Sequence, residues 1–207
     1  MKDPAMKRIR TLSIQKTCNT PFIERVEEAS GQRVSQCYQC GNCSAGCAYT
    51  YVYDYPVNQI MRLVQLGQKD IVLKSRSIWL CASCQACTTR CPNNLDVARI
   101  METLRIMSRE EKTVSEGDIR IFYDEFLRSV KTFGRVFETG LLPIYNLRAK
   151  KPFADIDLAP RALKKGKLSF MPPRTRGQKE VAQIFKRFET RRARTAALKD
   201  GNDGNDI

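Results

Sequence analysis

Val57, Ile60, Met61 and Val64 recur at the spacing of one helix face, and Val97, Ile100, Met101 and Leu104 repeat that spacing further along. Pro56 opens the first of these helices and Gly67 stops it, while Asp96 caps the second, which should run to about Arg109. A shorter helix is expected over Pro21 to Ser30, where Thr20 and Pro21 make a good start and Gly31 a good stop. From Asp118 a wider stripe of Ile119, Phe122, Tyr123, Phe126, Leu127 and Val130 predicts a helix that closes the core, ended near Thr139 by Gly140 and Pro143. Pro143, Pro152, Pro160, Pro172 and Pro173 then punctuate residues 141–177, which read as an extended connection over another surface. Gln178 to Leu198 returns to an amphipathic helix, with Val181, Ile184, Phe185 and Phe188 among many Lys and Arg, before a flexible end. The pattern predicts an all-α chain in three parts. These are a polar arm over 1–17, with a short strand near Ile9 to Ile14, a helical domain over 18–140, and an extended basic segment over 141–207.

Composition agrees with this size of core: 207 residues, 42% of them hydrophobic, suffice for one compact domain with tails. No apolar run is long enough to span a membrane, and MKDPAMKRIR has no signal-peptide core, so a cytoplasmic location is expected. The net charge of +14 is uneven: 20 basic and 15 acidic residues lie up to residue 145, against 16 basic and 7 acidic beyond it. Such a tail suits an acidic protein, nucleic acid or an anionic membrane surface, and charge alone does not choose among them. Nine cysteines with no histidine change the picture more. In a reducing compartment thiols serve as metal or redox ligands before they serve as disulfides.

Eight of the nine fall into two runs. CYQCGNCSAGCA places Cys37, Cys40, Cys43 and Cys47 at C-x2-C-x2-C-x3-C, and CASCQACTTRCP repeats the intervals with Cys81, Cys84, Cys87 and Cys91, each 44 residues after its counterpart. The echo continues into the helices, where VNQIM at Val57 to Met61 matches VARIM at Val97 to Met101. This is an internal duplication, with the connection from run to helix four residues longer in the first copy. A cubane iron-sulfur cluster has four iron corners; three closely spaced thiolates wrap three of them and a distant thiolate must close the fourth. In two-cluster proteins the last cysteine of each run serves the other cluster. The expectation is therefore two 4Fe-4S clusters, one on Cys37, Cys40, Cys43 and Cys91, the other on Cys81, Cys84, Cys87 and Cys47. Zinc is the competing reading, but its sites use paired C-x2-C units rather than a triple ladder. Cys18, outside both runs, reads as a small buried hydrophobe, and Trp79, just before Cys81, as a shield between cluster and water.

No G-x-G-x-x-G fingerprint, phosphate-binding loop or catalytic triad accompanies the cysteines, and no histidine is available for acid-base work. The chain reads as a non-catalytic electron carrier without a small-molecule substrate of its own. CYQCGNCSAGC, the helical spacer and WLCASCQACTTRCP resemble the iron-sulfur C subunit of heterodisulfide reductase and its sulfur-oxidising relatives, closely from Val34 to Arg109 and more weakly through ETGLLPIYN to SFMPPR. The resemblance implies an alpha-helical ferredoxin that passes single electrons between the flavin-containing A subunit on one side and the cysteine-rich, disulfide-active B subunit on the other. Ala48 departs from the proline that often follows the fourth cysteine of the first run, without removing a ligand. The alternative from another class is a redox sensor that binds nucleic acid through its basic tail. It is disfavoured because the basic groups lack a helix-turn-helix or interleaved aromatic pattern. Attachment of the last helix to a membrane surface is compatible with the charge but not required by it.

Overall fold

The structure, a computed structural model, describes residues 19–151 and 175–202. The expected arm, its short strand, Cys18 and the proline-rich stretch over 152–174 lie outside the described residues. Among the described residues all regular structure is helical, as expected, and no helix is long and apolar enough to cross a membrane. The chain divides into two compact units, Met1–Gly117 and Asp118–Ile207.

The first unit is assembled around the two copies of the duplicated motif. Helix α1 (Thr20–Ser30) is capped one residue earlier than expected, by Asn19, whose Oδ1 accepts from the Phe22 amide at 2.9 Å; Gly31, at φ 66°, ends it. The first run leads into a single helical turn, α2 (Asn42–Ala45), and then α3 (Val57–Gln65), followed by the short helices α4 (Lys69–Leu73) and α5 (Ser77–Leu80). The second run leads into α6 (Ala86–Thr89) and α7 (Val97–Glu110). Val57, Ile60, Met61 and Val64 of α3 and Val97, Ile100, Met101 and Leu104 of α7 are all buried, at 3% exposure or less. The predicted apolar faces are thus the core, against which α1, α4, α5 and α6 pack through α7. Burial of this order stabilises by about 1.5–3 kcal/mol per large side chain. The turns α2 and α6 also contact each other, so the two runs meet directly.

The second unit differs from the sequence reading. Helix α8 (Gly117–Phe133) ends at Gly134, whose φ of 78° and amide bond to the Val130 carbonyl (2.8 Å) close it well before Thr139. None of its stripe residues is buried; its buried residue is Glu125, whose carboxylate meets the Arg148 guanidinium at 2.6 Å. A separate helix, α9 (Glu138–Arg148), follows where the extended connection was expected to begin. Pro143 sits in the middle of it, removing one backbone donor without ending it. Phe122 of α8 meets Tyr145 of α9 edge to face, ring centres 5.7 Å apart. Helix α10 (Gln178–Asn202) extends a turn beyond the expected end and exposes Ile184 and Phe188.

Candidate metal centres

Both cysteine runs fold by the same backbone device. The second residue after the first cysteine is left-handed in each, Gln39 at φ 66° and Ser83 at φ 52°, and so is the residue two before the third cysteine, Gly41 at φ 83° and Gln85 at φ 67°. Gly41 adopts this region at no steric cost, whereas Gln85 holds it against its Cβ. These two reversals bend each run around a concavity lined by its own first three thiols. One residue after the third cysteine a hydroxyl caps the following long helix. Ser44 Oγ accepts from the Asn58 amide (2.8 Å) and donates to Asn58 Oδ1 (2.6 Å); Thr88 Oγ1 accepts from the Ala98 amide (3.1 Å) and donates to Asp96 Oδ1 (2.8 Å). Pro56 has no side-chain oxygen with which to cap α3, so Ser44 takes over that duty.

The long helices return the contact to the ladders. Gln65 Nε2 donates to the carbonyls of Val34 (3.0 Å) and Cys37 (2.7 Å). Arg105, at the equivalent position of the second copy, donates from Nε to the Ile78 carbonyl (2.8 Å) and from Nη2 to the Cys81 carbonyl (2.6 Å). The first cysteine of each run and the residue three before it are therefore anchored by a side chain of the helix that the run precedes, Gln65 at the last residue of α3 and Arg105 within α7.

Two voids result, one in front of each ladder. The first is lined by Cys37, Cys40, Cys43 and, from the other run, Cys91, with Met61, Leu95 and Val97. The second is lined by Cys81, Cys84, Cys87 and, again from the other run, Cys47, with Val57, Ala98, Met101, Tyr49 and Tyr53. Reciprocal hydrogen bonds produce this exchange. The segment after the second run reaches the front of the first: Asn93 Nδ2 donates to the Gln36 carbonyl, and the Asp96 amide donates to Gln32 Oε1 at 2.9 Å. The segment after the first run reaches the front of the second: Asp54 Oδ1 accepts from Ser75 Oγ (2.8 Å), the Ser77 amide (3.0 Å) and Ser77 Oγ, and Oδ2 accepts from the Arg76 amide (2.9 Å).

The donor set suits a cluster better than a lone ion. Four soft thiols surround each void, yet among the described residues no three Cys, Asp or Glu side chains converge closely enough to hold a single metal ion. Cys43, Cys81 and Cys87 are buried while Cys40 and Cys84 are exposed, so each void has a closed side and a surface side. Burial, then the adjacent Cys37 and Cys40 against opposing hydrogen bonds from Ser44, raises the Cys43 thiol pKa; burial followed by Cys81 pushes Cys87 up to about 11. Tyr53 lies against Cys47 and Cys81, and burial together with those sulfurs raises its phenol pKa, keeping an O–H directed at the ligands. Gln39 Nε2 donates to Cys37 Sγ at 3.4 Å in the first void.

One expectation needs revision. Trp79 does not line either void; its indole is 2% exposed and donates to Ser108 Oγ of α7 at 3.2 Å, so it is a core residue behind the second run rather than a shield over it. Tyr49 and Tyr53 do the covering. They belong, with Asp54, to the longer connection of the first copy, which the repeat spacing marked without assigning it a role. Gln65 and Arg105 were legible only as polar positions on two helices with apolar faces.

Fold and site together define a helical ferredoxin-type protein built on two cysteine ladders. Residues 36–96 match the 4Fe-4S dicluster domain family. Among similar proteins are the C subunit of the ferredoxin:CoB-CoM heterodisulfide reductase of Methanosarcina acetivorans, 37% identical over 87 residues (42% of this chain, 34% of the relative), and the C subunit of the H(2):CoB-CoM heterodisulfide,ferredoxin reductase of Methanothermobacter marburgensis, 31% identical over 84 residues (41% and 45%). A protein of Archaeoglobus profundus described as like the C subunit of heterodisulfide reductase is 29% identical over 112 residues, 54% of this chain and 57% of that one. The chain spans about half the length, or less, of the relatives named, and the dicluster domain match takes in both ladders. Over the matched stretches the chain is similar to heterodisulfide reductase C subunits, the likeness its motifs led one to expect.

Proposed function

We propose that the chain is the electron-transfer subunit of a heterodisulfide-reductase-like complex and carries two 4Fe-4S clusters. Cys37, Cys40, Cys43 and Cys91 hold one of them, and Cys81, Cys84, Cys87 and Cys47 hold the other. The observation that carries this reading is the lining of each void by three thiols of one run and the last thiol of the other. When bound, such clusters supply reversible one-electron storage. The chain's own residues do the rest. Met61, Leu95 and Val97 at one site and Val57, Ala98 and Met101 at the other exclude water, which sets the local dielectric and hence the potential. The hydroxyl of Tyr53 and the amide of Gln39 place donors against ligand sulfurs, which favours the reduced, more negative state of each site.

The exposed Cys40 and Cys84 bring the ligand shell of each site to the surface, where a partner's redox group can approach. The relatives are subunits of reductase complexes by name. On that basis the partners are a cysteine-rich subunit that performs the thiol-disulfide chemistry and a second one that contains flavin. Whether the complex reduces a heterodisulfide or oxidises carrier-bound sulfur is a property of those partners. Anaerobically purified full chain is expected to contain roughly eight iron atoms and eight acid-labile sulfides. A zinc-rich preparation without sulfide would contradict the assignment.

A further inference from the structure

The two copies of the motif agree in backbone, capping hydroxyl and anchoring hydrogen bonds, so a difference at one equivalent position stands out. Gln65 and Arg105 occupy the same place and make the same pair of bonds, to Val34 and Cys37 in one copy and to Ile78 and Cys81 in the other. One anchor is neutral and the other is a guanidinium that is always charged. Its Nη2 also lies 3.4 Å from Ser83 Oγ, between Cys81 and Cys84 in sequence. Resting on the function proposed above, we infer that Arg105 orders the two sites in potential. The site of Cys47, Cys81, Cys84 and Cys87 is then the stronger electron acceptor, and an electron entering at Cys37, Cys40, Cys43 and Cys91 passes downhill to it. In that step the first site is oxidised by one electron, the second is reduced by one, and no proton or bond is exchanged.

A fixed cation beside a ligand's backbone favours the more negative, reduced form of whatever the ligand holds, by an amount that grows as the local dielectric falls. Other nearby groups do not supply the same distinction. Ligand-sulfur donors are present at both sites, Gln39 and Tyr38 at the first and Tyr53 at the second. One turn earlier, Arg62 in the first copy stands opposite Glu102 in the second, but both are exposed and screened by water, and Arg62 reaches the first ladder only through Gln65 Oε1 (3.2 Å). Arg90 precedes Cys91 in one run and its side chain packs over Gly46, which precedes Cys47 in the other, so its charge is shared by both sites.

The test is an EPR-monitored redox titration of the anaerobic full chain and of Arg105→Gln, Arg105→Lys and Gln65→Arg. A Cys84→Ser variant identifies which signal belongs to the second site. The wild type should give two midpoints, the higher at the second site. Arg105→Gln should lower that midpoint enough to change its oxidised-to-reduced ratio about tenfold at fixed solution potential, 59 mV for one electron. The first site should not move. Arg105→Lys, which keeps the charge, should stay near the wild type, and Gln65→Arg should raise the first midpoint. Equal losses in Arg105→Gln and Arg105→Lys, or two unmoved midpoints in Arg105→Gln, would overturn the inference. Should Arg105→Gln fail to keep its second cluster, Gln65→Arg decides, and an unraised first midpoint would overturn it. Wild type lacking iron and sulfide would instead sink the cluster assignment itself, which the metal analysis reads separately.

Discussion

Gly46 and Arg90 occupy equivalent places in the two runs, just before the fourth cysteine, and they have diverged in opposite directions. A Cβ on Gly46 would lie 2.5 Å from Arg90 Cδ, so the space one copy leaves empty is filled by the other's side chain. Gly46→Ala should therefore lower stability by about 1 kcal/mol, towards the small end of overpacking effects because Arg90 is exposed and can shift. Arg90→Ala in the same chain should remove most of that loss, and thermal melts of the two single variants and the double variant read the non-additivity. Additive losses would mean the two side chains do not compete. The two cysteine runs were legible in the sequence because their spacing is the pattern that cluster chemistry calls for. Gly46 was not, since its requirement arises from a neighbour 44 residues away.

At the scale of elements, the two long core helices were readable from periodicity, with Asp96 as a cap and Gly67 and Gly31 as stops. What periodicity does not contain is the hydrogen bonding that ties each run to the other. Asp54 illustrates this. Burial alone would raise its pKa, but donation from Ser77, Arg76, Ser75 and the Ser77 amide outweighs that and holds the carboxyl below its ordinary value of 3.8. Its folded pKa being lowered, its contribution is present above pH 3.8 and is lost as pH falls through the lower, folded value. Asp54→Ala should consequently lower the melting temperature at neutral pH, with a loss of about 1 kcal/mol, reduced because the residue is exposed. The gap from wild type should narrow once the medium is more acid than pH 3.8. A gap independent of pH would show that the charge of Asp54 does not anchor α5. The stripe of α8 was misread for a related reason. An apolar period announces a buried face but not which elements bury it, and here Glu125 takes the buried place while Phe126 and Leu127 remain exposed.

At the scale of the whole molecule, each run lines its void with three thiols, and reciprocal staples from Asn93 and Asp96 on one side and Asp54 on the other accompany the fourth thiol across from the other run, as the proposed ligand sets require. The sequence could state that a fourth ligand must come from a distance. It took the folded chain to bring together the groups that deliver it. Metal binding and folding should then be coupled across both halves, because neither void is lined by one run alone. Cys91 tests this most directly, since it follows the second run in sequence and lines the first void in space. In the anaerobic full chain, Cys91→Ser should perturb the EPR signal of the cluster held by Cys37, Cys40 and Cys43 while the other signal persists. Damage confined to the cluster of Cys81, Cys84 and Cys87 would contradict the account.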